Sequence, residues 1–213
     1  MNGIEPYMRM KPLVIAAGLA LATALAGCSS DGAIRLFSND YGARTDAGYN
    51  LPAIPIYKVD RKYHRQVVRY QTDEKPGTII VDTSQKFLYF IMEDDKAMRY
   101  GIGVGREGFE WKGIARVALK REWPVWTPPA EMIRRQPELA KFRGGMDPGL
   151  TNALGARALY LFNKGGDSGY RLHGTPEWAS IGKAMSSGCI RLLNQDIIDL
   201  YNRAEIGAKV IVR

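Results

Sequence analysis

Between Gly77 and Val212 the apolar residues come in short β-branched and aromatic runs, each closed by turn residues. A chain patterned this way stacks strands and cannot build a helical bundle. Thr78-Ile79-Ile80-Val81-Asp82 follows a Pro-Gly, and Lys86-Phe87-Leu88-Tyr89-Phe90-Ile91 lies one short Thr-Ser-Gln connection away, so the two predict a hairpin. Further strands are expected at 97–104, 114–119, 158–162, 170–173 and 209–212. The 23 glycines suit the many turns this requires. Two helices interrupt the pattern. Pro128-Pro129 opens a short one over 130–135. Asn194 is expected to N-cap the other, over 195–203, with Asp196 on the positive end of its dipole. Ile197, Ile198, Leu200 and Tyr201 would form that helix's buried face. The sum is a mainly β fold with short helices (α+β), in one domain spanning 77–213.

Residues 1–27 read as an export signal: Arg9 and Lys11 precede an uncharged, Ala/Leu-rich stretch from Pro12 to Leu25. That stretch is too short to cross ~30 Å of hydrocarbon comfortably. Translation could also start at Met8 or Met10. Leu25-Ala26-Gly27-Cys28 resembles the lipobox of bacterial lipoproteins, which implies cleavage before Cys28 and lipidation of its thiol. Several acyl chains anchor stably where one does not. Ser29, in place of Asp, implies the cell envelope and the periplasmic face of the outer membrane as the destination. Residues 28–50 are small, polar and Gly-rich and read as a flexible tether. Residues 51–76, with prolines at 52, 55 and 76, read as an extended arm. His64 lies in that arm among polar neighbours, as a solvated or packing histidine. The net charge of +8 suits an anionic partner. Without a dense Lys/Arg run interleaved with aromatics, nucleic acid is not expected.

Gly103-Val104-Gly105-Arg106-Glu107-Gly108 matches the dinucleotide pattern G-x-G-x-x-G. That fingerprint needs a helix next, to place its N-terminus on the pyrophosphate. Phe109-Glu110-Trp111-Lys112-Gly113 is poorly helical, so a glycine-rich turn between strands is the expectation.

Cys189 is the one cysteine besides Cys28. A free thiol outside the cytoplasm is a liability unless it has a use. An inert buried thiol and a disulfide to Cys28 are the alternatives. Ser186-Ser187-Gly188 before the cysteine is turn chemistry, and Arg191 just after it carries charge, both unlike an inert core site. A nucleophilic cysteine needs a base, because few thiols ionise unaided at neutral pH. His173 ends the 170–173 strand beside a Gly-Thr-Pro loop, on the same face as Arg171 by strand alternation. Spacing and composition leave Cys/His catalysis and a structural thiol both open. No metal or cofactor is implied, since one Cys and one His lack the ligand count for zinc.

His173-Gly174-Thr175, Ile181-Gly182 and Ser186-Ser187-Gly188-Cys189-Ile190-Arg191-Leu192 together resemble the signature of the L,D-transpeptidase (YkuD) catalytic domain. Gly77 to Asp82, Trp126-Thr127-Pro128-Pro129 and Leu154 to Leu159 are similar to other family segments. The resemblance implies a β-sandwich with an active-site cleft. Carried over, it makes Cys189 the nucleophile and His173 the base, oriented by the carbonyl of Gly174. Backbone N–H groups around Gly188 and Cys189 would hold the oxyanion. Ser186 and Ser187 would join Arg191 in binding the substrate; Ser186 would also shape the loop, and Ser187 stands where many members have histidine. Arg191 would hold a substrate carboxylate or the turn itself. The implied substrates are peptidoglycan stem tetrapeptides, joined into 3–3 crosslinks or to an envelope protein. An L,D-carboxypeptidase or endopeptidase of the same fold, and a non-catalytic wall-binding lipoprotein, are the alternatives.

Overall fold

A computed structural model describes residues 40–107 and 111–213. The export signal, Cys28 and most of the tether lie outside the described residues, as does the end of the glycine motif. In chain order the elements are β1 (Arg44–Asp46), β2 (Tyr49–Leu51), β3 (Gln66–Arg69), β4 (Ile79–Asp82), β5 (Phe87–Ile91), β6 (Lys96–Gly101), β7 (Val104–Gly105), β8 (Gly113–Glu122), α1 (Ala130–Arg135), β9 (Arg157–Asn163), β10 (Gly166–Thr175), β11 (Ala184–Ser186), β12 (Ile190–Leu193), α2 (Asn194–Arg203) and β13 (Lys209–Val212). Among the described residues, no helix is long and apolar enough to cross a membrane.

Nine strands form one mixed sheet in the order β12-β10-β9-β8-β13-β4-β5-β6-β3. The predicted hairpin is β4–β5, antiparallel with Ile79 opposite Phe90. β4 is apolar on both faces because it is covered on both. Ile79 and Val81 join the main core, while Ile80 packs with Tyr89, Ile91 and Ala97 on the other side. The main core unites Leu88 and Tyr100 from one end of the sheet with Leu172 and Leu192 from the other. The sheet is therefore curled on itself, and the expected sandwich is one continuous sheet with its halves face to face. A small parallel pair, β7 with β11, and the backbone pairing of Gly103 with Arg191 close the edge. The single strand expected over 97–104 is broken there. A Cβ on Gly103 would lie 2.9 Å from the Ser180 carbonyl oxygen, so the chain passes at glycine contact.

Two boundaries differ from the sequence reading. The main sheet starts before residue 77, because β3 pairs antiparallel with β6 as an edge strand. The last part of the tether is not loose: β1 and β2 form a hairpin. Leu51 is buried with Trp123, Ala156 and Ile198, and Tyr49 stacks on Trp123 at 4.1 Å. Three-residue strands carry too little periodicity to be read, and what holds them is docking against distant side chains. Asp46 accepts from Arg157 Nη1 at 2.7 Å and from Trp123 Nε1 at 2.7 Å. His64 is a packing histidine whose Nε2 lies 2.9 Å from the Val59 carbonyl oxygen.

Helix α2 buries Ile197, Ile198 and Leu200 as its pattern predicts. Its cap does not follow the prediction. Leu193 holds the N-cap position and Asn194 is the first helical residue. The Asn194 side chain instead turns inward and accepts from the Ala156 N–H at 2.9 Å. Asp196 occupies the first turn but is fully buried, with the Tyr41 hydroxyl donating to it at 3.4 Å and Arg65 beside it at 3.8 Å.

Candidate active site

The parallel pairing of β10 with β12 sets the site, placing Leu172 opposite Ile190 and His173 opposite Arg191. Alternation sends Leu172, Ile190 and Leu192 into the core. It leaves Arg171, His173 and Arg191 on the opposite face, with Cys189 immediately before β12. All four line one cleft of about 710 Å³. The parallel pairing of β10 with β12 thus puts His173 and Cys189 on the lining of one cleft.

His173 is buried, and its Nδ1 lies 2.6 Å from the Gly174 carbonyl oxygen. A carbonyl only accepts, so Nδ1 must carry the proton and Nε2 is left with a free lone pair. The close passage depends on glycine. A Cβ on Gly174 would lie 2.2 Å from Asn194 Oδ1, and one on Gly155, whose φ is +62°, would lie 2.3 Å from the same atom. Burial pushes the His173 pKa down to about 4, helped by Arg191 and Arg171 and opposed by the Gly174 carbonyl. Burial pushes the Cys189 thiol up, opposed by the Arg171 backbone N–H donating to the sulfur and by the Arg171 and Arg191 charges. At neutral pH the resting pair is therefore neutral thiol and neutral imidazole.

The turn before the cysteine is held by Ser186. Its hydroxyl donates to the Cys189 carbonyl at 2.6 Å and accepts from the Gly188 N–H at 3.2 Å. Gly188 has φ +124°, a conformation that favours glycine. Of the backbone N–H groups around the cysteine, that of Gly188 is thus engaged by Ser186. Ser187 lines the cleft half-buried. Arg191 Nη1 pairs with Glu177 Oε2 at 2.7 Å, while its backbone N–H and C=O bond Gly103 at 2.8 and 2.9 Å. Arg191 thus secures the turn through its backbone, with its side chain in the cleft.

The facing wall comes from residues 123–156, between β8 and β9. Trp126 pairs its backbone with Met146 at 3.0 and 2.7 Å and packs its ring against Phe142. Buried Asn152 ties the segment together, its amide donating to the carbonyls of Pro124, Met146 and Asp147 at 3.0–3.1 Å. The sequence segments around Trp126 and Leu154 fall on this wall. Sequence reasoning missed Glu177, Asn152 and the role of Arg171. Glu177 had a signal, being an acid four residues after the candidate base. Asn152 had none. Among the described residues, no group of three or more His, Cys, Asp or Glu side chains could hold a metal ion.

The family model described as L,D-transpeptidase catalytic domain (YkuD) matches residues 76–212. "Probable L,D-transpeptidase YcfS" of Escherichia coli strain K12 is 33% identical over 140 residues, covering 64% of this chain and 43% of that protein. "Probable L,D-transpeptidase ErfK/SrfK" of the same strain is 31% identical over 138 residues, covering 62% and 42%. The chain thus spans under half the length of these curated relatives. A solved structure titled "Crystal structure of a Probable carnitine operon oxidoreductase caia from Brucella melitensis" is 44% identical, with a TM-score of 0.51, covering 75% of this chain and 99% of that one.

Proposed function

The chain belongs to the L,D-transpeptidase catalytic-domain family, and from that premise we propose that it is a cysteine acyltransferase acting on peptidoglycan stem peptides. The observation that carries this is the bond from His173 Nδ1 to the Gly174 carbonyl. It fixes the tautomer and leaves Nε2 as a base in the cleft that holds Cys189.

His173 Nε2 takes the thiol proton as Cys189 Sγ attacks the carbonyl of the third stem residue. The Cys189 N–H, beside the engaged Gly188 N–H, takes the developing oxyanion. The C–N bond to the terminal D-Ala breaks, His173 returns the proton to the departing amine, and a thioester remains. An acceptor amine then attacks the thioester, the C–S bond breaks, and the thiol is restored. A diaminopimelate amine gives a 3–3 crosslink, a lysine of an envelope protein gives a wall-anchored protein, and water gives a carboxypeptidase. An oxidoreductase activity, as named for the Brucella melitensis protein, is not proposed for this chain. Gly105 sits in the β7–β11 pair, Gly103 bridges Arg191 beside it, and the next described element is the strand β8, where the dinucleotide fingerprint needs a phosphate-holding helix.

The export signal and lipidated Cys28 belong to the same reading, supported by the lipobox-like Leu25-Ala26-Gly27-Cys28. They put the enzyme in the cell envelope, at the periplasmic face of the outer membrane, where its substrate lies.

The test incubates purified protein with tetrapeptide-bearing muropeptides and reads the products by mass spectrometry, beside Cys189→Ala. Cys189-dependent loss of D-Ala with dimers is the expected result. Loss of D-Ala without dimers would make the protein a hydrolase or one that needs a protein acceptor. No Cys189-dependent change would leave a wall-binding lipoprotein.

A further inference from the structure

The charged side chains lining the cleft are Arg106, Arg171, Arg191 and, among the described residues, a single acid, Glu177. Arg171 is neutralised from outside the cleft lining, by Asp167 at 2.7 and 2.8 Å. Arg191 differs, because its counter-charge lies within the cleft, Nη1 to Glu177 Oε2 at 2.7 Å. The pair flanks the reacting groups. Arg191 is in register with His173 and follows Cys189 closely, and Glu177 follows the His173-Gly174-Thr175 strand end.

Glu177 is also held in place. Its N–H donates to Thr175 Oγ1 at 3.0 Å, and its carbonyl accepts from Ser180 Oγ at 2.7 Å and Ser180 N at 2.9 Å. Its side chain is 65% exposed against 23% for Arg191, so the carboxylate stands at the rim and the guanidinium behind it. A rim-exposed ion pair contributes little to stability, and a ligand can open it at small cost. What replaces it must satisfy both charges, since a half-desolvated guanidinium left without a partner is penalised.

We infer that the Arg191–Glu177 pair is the acceptor subsite and that it selects an amine bearing a carboxylate on the same carbon. This deepens the transpeptidase reading and rests on it. The ligand class is an α-amino acid zwitterion, such as the free end of a diaminopimelate side chain. Its ammonium meets Glu177 and its carboxylate meets Arg191. A lysine side-chain amine answers Glu177 but leaves Arg191 unpaired. The bound ammonium gives one proton to solvent to become a nucleophile. As its nitrogen forms the new C–N bond and the thioester C–S bond breaks, a second proton passes through His173 to the leaving sulfur.

The experiment uses the purified full-length protein with a tetrapeptide donor and three acceptors at equal concentration. These are a tripeptide ending in diaminopimelate, the same peptide with that side-chain carboxyl amidated, and Nα-acetyl-lysine amide. D-Ala release is read beside the crosslinked products. We expect the free-carboxylate acceptor to be used about tenfold or more in preference to the other two, the size of one charge-assisted bond pair. Glu177→Gln should raise that acceptor's KM, and Arg191→Gln should erase the preference for the free carboxylate. D-Ala release with equal use of all three acceptors, or with water alone, would overturn the subsite while leaving the enzyme. Absence of D-Ala release from the native protein would overturn the enzyme reading itself. The acceptor comparison needs no variant to fold.

Discussion

His173 Nδ1 sits 2.6 Å from the carbonyl oxygen of Gly174, the residue directly after it, so the base is oriented by its own strand and not by another side chain. The bond fixes which nitrogen works, and burial fixes when it works. With its pKa pushed down to about 4, His173 stays neutral far below the usual imidazole range. D-Ala release should therefore persist as pH falls from 7 to 5 and decline only near 4. The thiol, pushed up by burial, should alkylate slowly with iodoacetamide at neutral pH and faster as pH rises past the ordinary thiol range. An acid limb near 6.5 would mean an imidazole of ordinary pKa, and fast alkylation at pH 6 would mean that the pair rests as an ion pair.

Gly174 carries a steric prediction as well. A methyl group there would meet Asn194 Oδ1 at 2.2 Å, Ile197 Cγ2 at 3.0 Å and the Ala156 nitrogen at 3.1 Å. Gly174→Ala should cost about 2–3 kcal/mol by overpacking, visible in chemical denaturation, and should lower kcat by moving the carbonyl that holds His173. Asn194→Ala removes the nearest obstacle, although it strands the Ala156 N–H. The double variant should lose less than the sum of the two single losses.

Two buried groups pull stability in opposite directions on acidification. The folded-state pKa of His173 is about 4, below its unfolded value near 6.5, so its stabilisation is full above 6.5 and is lost as pH falls toward 4. The folded-state pKa of Asp196 is pushed up to about 7, mainly by burial and against the pull of Arg65. Its contribution is full below about 4 and is lost as pH rises through 7. Between pH 6.5 and 4 the two offset each other in the native protein. Asp196→Asn should therefore lose stability across that window, and His173→Gln should gain it. Denaturation midpoints at pH 6.5 and 4.5 test this, and like slopes in both variants would refute it.

The strands were legible because each rests on a local pattern, whereas His173 and Cys189 stood out through the motif they share with the L,D-transpeptidase family. β4 and β5 are uninterrupted β-branched and aromatic runs. The paired strand ends follow from alternation once β10 and β12 lie side by side. What stayed hidden depends on contacts between distant residues. Asn194 has the right side chain for an N-cap, yet the same amide also serves Ala156 from inside the core, and no local sequence separates the two uses. The arm failed to read as structure for a related reason. Arg65 looks like a surface charge, but it is buried among Asp40, Asp196 and Asp199, which come from both ends of the described chain. Removing it would strand Asp196, and Arg65→Met should cost about 3–5 kcal/mol.

The arm also reaches the catalytic loop, through Tyr63. Its ring fills a socket made by two glycines: a Cβ on Gly182 would lie 2.3 Å from Tyr63 Cε2, and one on Gly101 would lie 2.4 Å from Tyr63 Cβ. Gly182 lies in the loop joining His173 to Cys189 and donates its N–H to the Ile102 carbonyl at 2.9 Å. Its φ of +82° adds a backbone penalty for any other residue. Gly182→Ala should therefore cost about 1–2 kcal/mol from the left-handed backbone, plus the collision with the ring. Tyr63→Ala empties a half-buried socket and should cost about 2 kcal/mol, less than a fully buried aromatic. Because Tyr63→Ala removes the obstacle, the double variant should fall short of the summed losses by about the collision term. If the ring also sets the position of the loop, Tyr63→Ala should lower the rate of D-Ala release more than it raises KM. Strict additivity in stability, with kcat untouched, would make the arm a passive cover.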